Sequence, residues 1–215
     1  FGASGDAAIE LLRQTRNVAE RLGLCFHVGS QSMSPDAFGI ALDRVQQAIV
    51  RAGVIVDVLD VGGGFPSVYP GMTPPPLKHY VEEIAHRANV MLTTENCELW
   101  CEPGRALAAE SASLIVRVKR RDGDNLYIND GVYGALFDAG SLGWVYPVRH
   151  LDIDRPSTVL APFSFYGPTC DDYDHMKGPF MLPETIRTGD YVEIGMLGAY
   201  GAAMRTDFNG FETHN

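Results

Sequence analysis

Residues 54–65 read VIVDVLDVGGGF, and this stretch decides how the first half of the chain folds. Its β-branched residues predict a buried strand, and its three glycines predict a sharp turn where that strand ends. Helical patterns flank the stretch at 38–53 and 77–88, and the first of them begins after Pro35 and ends near Gly53. The stretch is therefore the strand of a helix–strand–helix alternation.

The alternation continues on both sides of this stretch. Ser4 is expected to cap a helix within 7–23, and further strands are expected within 24–30 and 98–107. Strands that alternate with helices become parallel strands with crossover helices. Polar residues follow each strand at its carboxyl end, the rim where α/β barrels build their active sites. The first half is therefore predicted to be α/β, up to a boundary near residue 110.

The second half follows a different pattern. Two strands are predicted within 113–134, joined at Gly123 and its flanking aspartates, and another is predicted within 189–204 after a Gly-Asp turn. Strands without helices between them indicate an antiparallel β domain. The chain is thus predicted to have two domains, 1–110 and 111–215.

Composition excludes several classes of partner. The chain has 215 residues, is 46% hydrophobic and carries a formal net charge of -10, so phosphates would be repelled and no nucleic-acid partner is expected. No apolar run approaches the ~20 residues of a membrane span, so no membrane partner is expected either. Without a visible signal peptide, a cytoplasmic location is the expectation.

The four cysteines form no paired CxxC motifs and have no histidine at zinc-finger spacing, so no metal site is expected. Cys25 and Cys101 lie in apolar runs and are predicted to be small buried residues. Cys170 stands apart, because it lies in the acidic loop GPTCDDYD at 167–174. From the residues alone it could be half of a disulfide, a metal ligand, a nucleophile or a buried residue, and a reducing setting disfavours the disulfide.

Three short motifs at strand ends could bind a charged ligand. Their polar or glycine positions are His27, Ser30, Gly62, Gly63, Gly64, Glu102 and Arg105. The backbone N–H groups of the glycines could wrap a phosphate, although a flexible turn is the alternative. The Glu–Arg pair could be a surface ion pair or could bind the same ligand. A lone histidine is more often part of a core than a catalyst.

Six motifs in sequence order resemble one family. They are FHVGSQ, LDVGGGFP, CEPGR, NDGVYG, GPTCDDYD and GAYGAAMRTDFNGF. Together they resemble the pyridoxal 5'-phosphate (PLP) decarboxylases of basic amino acids, the ornithine/lysine/diaminopimelate decarboxylase family with an alanine-racemase-like barrel. Within this family the motifs most resemble those of ornithine decarboxylase, because Asp171 follows Cys170 where diaminopimelate decarboxylases typically have Glu.

The resemblance implies a fold and a cofactor. Residues 1–110 would be the C-terminal strands and helices of a (β/α)8 TIM-like barrel, and 111–215 would be most of a β domain that carries the Cys-Asp loop. The implied phosphate ligands are Gly62, Gly63, Gly64, Ser30, Arg105 and Tyr200. His27 would stack on the PLP ring, and Glu102 would keep the pyridine nitrogen protonated so that the ring can accept electrons when CO2 leaves.

The resemblance also implies roles for the second half. Cys170 would act as a general acid that protonates the intermediate after decarboxylation, and Asp171 would face the distal ammonium of an amino-acid substrate. Tyr133, Phe208 and Asn209 would complete the pocket. The implied assembly is a homodimer with shared active sites, in which this loop reaches the neighbouring subunit. The implied reaction is L-ornithine to putrescine, or L-lysine to cadaverine, in polyamine biosynthesis.

Two features depart from the family. Its second substrate-end acid has no clean counterpart, with Asp138 as a loose substitute. Its Schiff-base lysine is not found, because the chain contains only Lys78, Lys119 and Lys177, none of them at the end of an early barrel strand. The chain is therefore expected to be a C-terminal portion of the enzyme. Diaminopimelate decarboxylase and a catalytically inactive regulatory homologue remain alternatives.

One expectation concerns the neighbours of the thiol. Asp172 and Asp174 are predicted to be solvated, while Asp171 is the acid expected to recognise an amine.

Overall fold

The structure is a computed structural model that describes residues 2–91, 97–151 and 159–211. Its residues form two compact units. The α/β unit comprises the residues up to Ser67 together with Thr73–Ala106, and the sheet unit comprises Val68–Met72 and the chain from Leu107 onward. No helix in the described ranges is long and apolar enough to cross a bilayer.

The described residues of the first half form three strands and four helices in alternation. In chain order they are α1 Gly5–Arg16, β1 Gly23–Cys25, α2 Asp36–Ala52, β2 Val58–Asp60, α3 Leu77–Met91, β3 Glu98–Trp100 and α4 Gly104–Ala108. The three strands are parallel in the order β1-β2-β3, as the alternation predicted. Ser4 is at the N-cap of α1 without a side-chain cap bond, and α2 ends at Gly53 with a left-handed φ of 67°.

Helices α2 and α3 bury one face of this parallel sheet. Phe38, Leu42 and Tyr80 are at most 1% exposed and form a core with Leu59 of β2. Each such side chain contributes roughly 1.5–3 kcal/mol by leaving water. The parallel sheet therefore has one face covered by α2 and α3, and the alternate side chains of its strands point to the opposite face.

The prediction that Cys25 and Cys101 are buried is wrong. Both are exposed, because Cys25 points to the face of the sheet opposite Leu24, and Leu24 is the neighbour that packs into the core. Cys101 directly follows β3, whose three residues are all exposed. All four cysteines lie in the described part of the chain, and none of them is paired in a disulfide.

The second half, where the structure describes it, forms six strands and one further helix. They are β4 Leu114–Asp122, β5 Asn125–Ile128, α5 Phe137–Ser141, β6 Val148–His150, β7 Leu160–Tyr166, β8 His175–Pro183 and β9 Tyr191–Ile194, with short 3-10 turns at Ala109–Ser111 and Phe208–Gly210. One sheet contains all six strands, in the order β6-β9-β4-β5-β7-β8. The β4–β5 hairpin turns at Gly123, as predicted.

This sheet departs from the antiparallel prediction at one place. Four neighbouring pairs are antiparallel, but β5 and β7 are parallel. The chain between them passes through α5 and β6 before it returns, and a crossover of this length is what a parallel pair needs. The core alternates as a half-buried sheet should, since Val116 and Val118 are fully buried while Arg117 and Lys119 are exposed.

The sheet unit also takes in five residues from the middle of the first half. Tyr69 is 2% exposed, and its ring lies 5.3 Å from that of Trp144 and 5.7 Å from that of Tyr146. Val68–Met72 therefore groups with the sheet unit, although the predicted first domain ran without interruption over 1–110. The change from one unit to the other otherwise falls between Ala106 and Leu107.

Candidate active site

The three glycines after β2 form a turn that we call the glycine cradle, Gly62–Gly64. Gly62 N donates to Asp60 Oδ1 at 2.8 Å, and Gly62 O accepts from Glu102 N at 2.8 Å. Gly62 has a φ of 66°, and a Cβ added there would overlap a backbone carbonyl oxygen, that of Phe26. Glycine is therefore required for the loops after β1, β2 and β3 to approach each other this closely.

The cradle fits a phosphate group. Gly63 is buried, and in the described part of the chain the N–H groups of Gly63 and Gly64 donate to no protein acceptor. Two such donors at the carboxyl end of a strand can bind an anion. A Cβ at Gly64 would overlap the carbonyl oxygen of Gly29, so only glycine lets this turn lie directly against the loop after β1.

His27 and Glu102 lie against the cradle. His27 Nδ1 accepts a hydrogen bond from Gly29 N at 2.9 Å, which leaves Nε2 toward Gly63. A Cβ at Gly63 would be 3.1 Å from His27 Nε2 and 3.0 Å from the Glu102 carbonyl oxygen. His27 is exposed, so the alternative of a core histidine does not hold. Ser30 follows in the same loop and is exposed.

Cys25, Asp60 and Glu102 form a small acidic cluster beside the cradle. One ligand atom from each lies within 4.8 Å of the others. Partial desolvation raises the pKa of the exposed Cys25 thiol, and the charges of Asp60 and Glu102 raise it further. Exposed acidic groups often gather in this way, so the cluster by itself assigns no metal.

Two further predicted phosphate ligands lie elsewhere. Arg105 is on α4 and is only 6% exposed, which excludes the exposed surface ion pair as its role. The Ser67 hydroxyl donates to the Arg105 carbonyl oxygen at 3.1 Å and ties α4 to the end of the cradle loop. Tyr200 belongs to the sheet unit, has a φ of 66° and is 48% exposed. Its place in a phosphate cup stays a prediction.

In the sheet unit, Asp171 pairs with Tyr133. The Tyr133 hydroxyl donates to Asp171 Oδ2 at 2.5 Å, and Tyr173 N donates to Asp171 Oδ1 at 2.9 Å. The bond from Tyr133 is the main reason why the pKa of Asp171 is lowered, and the same bond raises the pKa of Tyr133 to about 12. Asp171 is therefore an anion and Tyr133 a neutral phenol at neutral pH.

The other predicted pocket residues gather around this pair. The Phe208 ring stacks on Tyr133 at a centroid distance of 4.3 Å, and Asn209 Nδ2 donates to Cys170 Sγ at 3.2 Å. Asn209 adopts a left-handed φ of 56°, which asparagine tolerates better than most residues. The structure thus brings together the five sheet-unit residues that were expected to form the substrate pocket and donate the proton: Tyr133, Cys170, Asp171, Phe208 and Asn209.

The prediction that Asp174 is solvated is wrong, whereas Asp172 is exposed as expected. Asp174 is 2% exposed and accepts hydrogen bonds from Val132 N at 2.8 Å and from both Thr169 N and Thr169 Oγ1, at 3.1 and 2.8 Å. Its carboxylate thus accepts from Val132 N and Thr169 N at the base of the loop, in place of backbone carbonyl groups.

A cleft of about 680 Å³ runs beside this loop and is lined by Tyr127, Tyr166, Lys119, Cys170 and Asp171, among others.

Sequence reasoning missed an ion pair beside Tyr133, in which the carboxylate is buried and the arginine is partly exposed. The Asp130 side chain is 1% exposed, and its Oδ2 accepts from Arg205 Nη2 at 2.6 Å. Both residues lie inside quoted motifs, but neither was assigned a role, since nothing in the spacing of residues 75 positions apart signals a contact. Asp138 is half-buried in the first turn of α5, and its role at the substrate end stays a prediction.

Two protein-family models match the chain. The pyridoxal binding domain of the pyridoxal-dependent decarboxylases matches residues 1–109, and the C-terminal sheet domain of the pyridoxal-dependent decarboxylases matches residues 105–198. The resemblance drawn from the six motifs is thereby confirmed, and PLP is the cofactor.

Individual relatives are consistent with the family match. The chain is 32% identical over 219 residues to a lysine/ornithine decarboxylase of Selenomonas ruminantium, a match that covers 98% of this chain and 54% of that protein. It is 31% identical over 241 residues to antizyme inhibitor 2 of Xenopus laevis, covering 99% and 50%. A solved structure of lysine/ornithine decarboxylase from Vibrio vulnificus complexed with cadaverine matches with a TM-score of 0.81 at 30% identity, covering 99% of this chain and 59% of that one. The chain spans about half the length of the curated relatives it matches.

Proposed function

Because the chain belongs to the pyridoxal-dependent decarboxylase family, we propose that it is part of an enzyme that removes the α-carboxyl group of a basic L-amino acid. L-Ornithine, giving putrescine, is the first candidate substrate, and L-lysine, giving cadaverine, is the second. The observation that carries the proposal is the charged Asp171 in the sheet unit, held by Tyr133 beside the Cys170 thiol.

The charge of Asp171 suits the far end of such a substrate. A desolvated ammonium group needs an opposed charge, and the lowered pKa keeps this carboxylate ionised at neutral pH. Because Tyr133 occupies Oδ2 and Tyr173 N occupies Oδ1, each oxygen retains a further lone pair with which to accept from an ammonium. Asp171 is thus the proposed amine-recognition residue.

The glycine cradle is the proposed site of the cofactor phosphate. The N–H groups of Gly63 and Gly64 would bind its oxygens, with Ser30 and Arg105 as further ligands. His27 would lie on the face of the ring, and Glu102 would accept from its pyridine nitrogen. Bound there, PLP supplies the electron sink that loss of CO2 requires.

Cys170 is the proposed proton donor. The sulfur accepts from Asn209 Nδ2, so the S–H hydrogen is left to point toward another partner. We assign it the proton that replaces the lost carboxyl group on the substrate carbon. The loop that carries it is the proposed contribution of one subunit to the active site of its neighbour in a homodimer.

The anchoring lysine is proposed to lie outside residues 1–215. Lys78 is on α3, 3.5 Å from Glu82 and 78% exposed in its side chain. Lys119 and Lys177 are exposed residues of the sheet unit. None of the three follows a strand of the α/β unit, which is where a lysine would have to stand to reach a ligand in the cradle.

The test is CO2 release by the full-length protein loaded with PLP and given ornithine, lysine or diaminopimelate in turn. Turnover of ornithine or lysine is expected, and no release from either would refute the substrate assignment. Asp171→Asn should raise KM for the amino acid by about tenfold, while Asp172→Asn, the exposed neighbour, should change it little.

Two alternatives have an observation in their favour. The lack of a lysine at the strand ends, together with the likeness to antizyme inhibitor 2, favours a regulatory homologue without catalysis. Lys119 lines the same cleft as Asp171 and could meet the second carboxylate of diaminopimelate. Turnover with diaminopimelate alone would favour the second, and no turnover in a protein whose upstream sequence lacks a strand-end lysine would favour the first.

A further inference from the structure

The ion pair Asp130–Arg205, whose carboxylate is buried, joins two segments of the proposed site. Asp130 Oδ1 accepts from Gly131 N at 2.8 Å and from Ala135 N at 2.7 Å, so it closes the turn in which Tyr133 lies. Asp130 Oδ2 accepts from Arg205 Nη2 at 2.6 Å. One carboxylate therefore holds the turn with one oxygen and the segment after Arg205 with the other.

The segment after Arg205 contains the residues that contact the thiol loop. Thr206 N donates to the Tyr133 carbonyl oxygen at 2.8 Å, so the segment is held beside the turn on the main chain as well. Two and three residues further on, Phe208 stacks on Tyr133 and Asn209 donates to Cys170. The pair thus lies at the base of a wall formed by the 130–135 turn and the 205–209 segment.

We propose that Asp130 and Arg205 are positioning residues, which set where Phe208 and Asn209 stand against Tyr133 and Cys170. The inference rests on the proposed function for its catalytic consequence but not for its geometry. The hydrogen bond to the Cys170 thiol comes from Asn209 and not from either residue of the pair. Any effect of the pair on the thiol must therefore pass through the 205–209 segment.

The physical reason is that the Arg205 guanidinium pairs with a carboxylate that is itself buried. Asp130 is 1% exposed in its side chain, so without a cation its charge would be left in a poorly hydrated place. Arg205 is 25% exposed and can leave this site only by breaking that pair. Removal of the guanidinium should therefore release the 205–209 segment, while the turn keeps the two backbone bonds of Asp130.

The test compares Arg205→Met with Arg205→Lys, both in the full-length protein. The first readout is the rate at which iodoacetamide alkylates Cys170, measured by peptide mass spectrometry, with the exposed Cys25 of the other unit as internal standard. Because Asn209 would no longer hold the sulfur, Arg205→Met should change the Cys170 rate by about threefold or more relative to Cys25. Arg205→Lys should lie between the variant and the parent protein.

The second readout separates positioning from binding. Arg205→Met should lower kcat by about tenfold with less change in KM, because a misplaced proton donor affects the chemical step. The control is Arg149→Met, which breaks an exposed pair with Glu193 on the same sheet and should change neither readout.

Three outcomes would overturn the inference: a Cys170 alkylation rate in Arg205→Met equal to that of the parent, equal effects of methionine and lysine at position 205, or the same effects in Arg149→Met. If Arg205→Met does not fold, Arg205→Lys and Asn209→Ala decide. Asn209→Ala must reproduce the alkylation change, and an unchanged rate in either variant rejects the proposal. The alkylation result stands even if neither ornithine nor lysine is decarboxylated, so failure of the proposed function is distinguishable.

Discussion

Replacing Asp174 with asparagine should destabilise the sheet unit, although the change alters a single atom. The carboxylate is 2% exposed and accepts one bond at Oδ1, from Val132 N, and two at Oδ2, from Thr169 N and Thr169 Oγ1. Asparagine can keep an oxygen toward Val132, but its NH2 group then faces the two donors of Thr169. Bonds to a charged group contribute about 1.5–3 kcal/mol each, so two lost bonds amount to about 3–6 kcal/mol. We expect a loss of about 3 kcal/mol in the free energy of unfolding, because Thr169 is only partly buried and its donors can bond to water instead.

The assay is urea unfolding of the full-length protein followed by the fluorescence of Trp144, which packs against the core of the sheet unit. Trp100, in the α/β unit, is replaced with Phe in every variant so that the signal has one described source. The free energy of unfolding follows from the midpoint and the slope of the transition. Asp172→Asn is the matched control, since that acid is exposed in the same loop and should stay within about 0.5 kcal/mol of the parent.

A free energy for Asp174→Asn equal to that of Asp172→Asn would refute the reasoning. It would mean that the carboxylate at position 174 is solvated in practice and that the loop is held by other contacts.

Three more outcomes follow from the structure. Gly62→Ala should abolish PLP binding in a calorimetric titration, because its Cβ would overlap a backbone carbonyl, whereas Gly71→Ala, with a φ of 79° but nothing within 4 Å of its Cβ, should bind normally. Tyr133→Phe should move the acid limb of the kcat/KM profile to higher pH, because the main cause of the lowered pKa of Asp171 is lost and the charged form disappears sooner as pH falls; an unmoved limb would show that Asp171 is not the group observed. Burial lowers the pKa of His175 from 6.5, so its contribution to stability is present above that value and lost as pH falls below it, and His175→Gln should flatten the pH dependence of the urea midpoint.

The local features of the α/β unit could be predicted from the sequence because they depend on neighbouring residues. Pro35 and Gly53 mark the start and the end of α2 through the backbone angles that they favour. The glycines after β2 predict the turn that they form. Cys25 could not be placed in the same way. Its burial depends on which face of the strand the helices cover, and an apolar run of three to seven residues does not encode that.

The sheet unit was harder to predict because its contacts join distant residues. β8 contains Gly178 and Pro179, which weaken a strand pattern, and its partner β7 has an irregular register between Phe163 and Phe165. An acidic run suggests solvent, yet Asp174 is buried because two glycines make room for it. A Cβ at either Gly131 or Gly167 would overlap its carboxylate, and no local pattern connects those three positions.

The parallel pairing of β5 with β7 bears on the order in which the sheet unit folds. The β4–β5 hairpin is closed by Gly123 and Asp124 and the β7–β8 hairpin by the thiol loop 167–174, but joining the two brings together residues on either side of the longer segment from Ile128 to Leu160. By loop-closure entropy, this junction costs roughly 2 kcal/mol more than closing a two-residue turn. We therefore expect each hairpin to assemble first and the junction last, so that the thiol loop exists before the wall it faces is in place. Pulse-labelled hydrogen exchange would show this as early protection of Phe163 and Phe180 and late protection of Leu126, and simultaneous protection would contradict it.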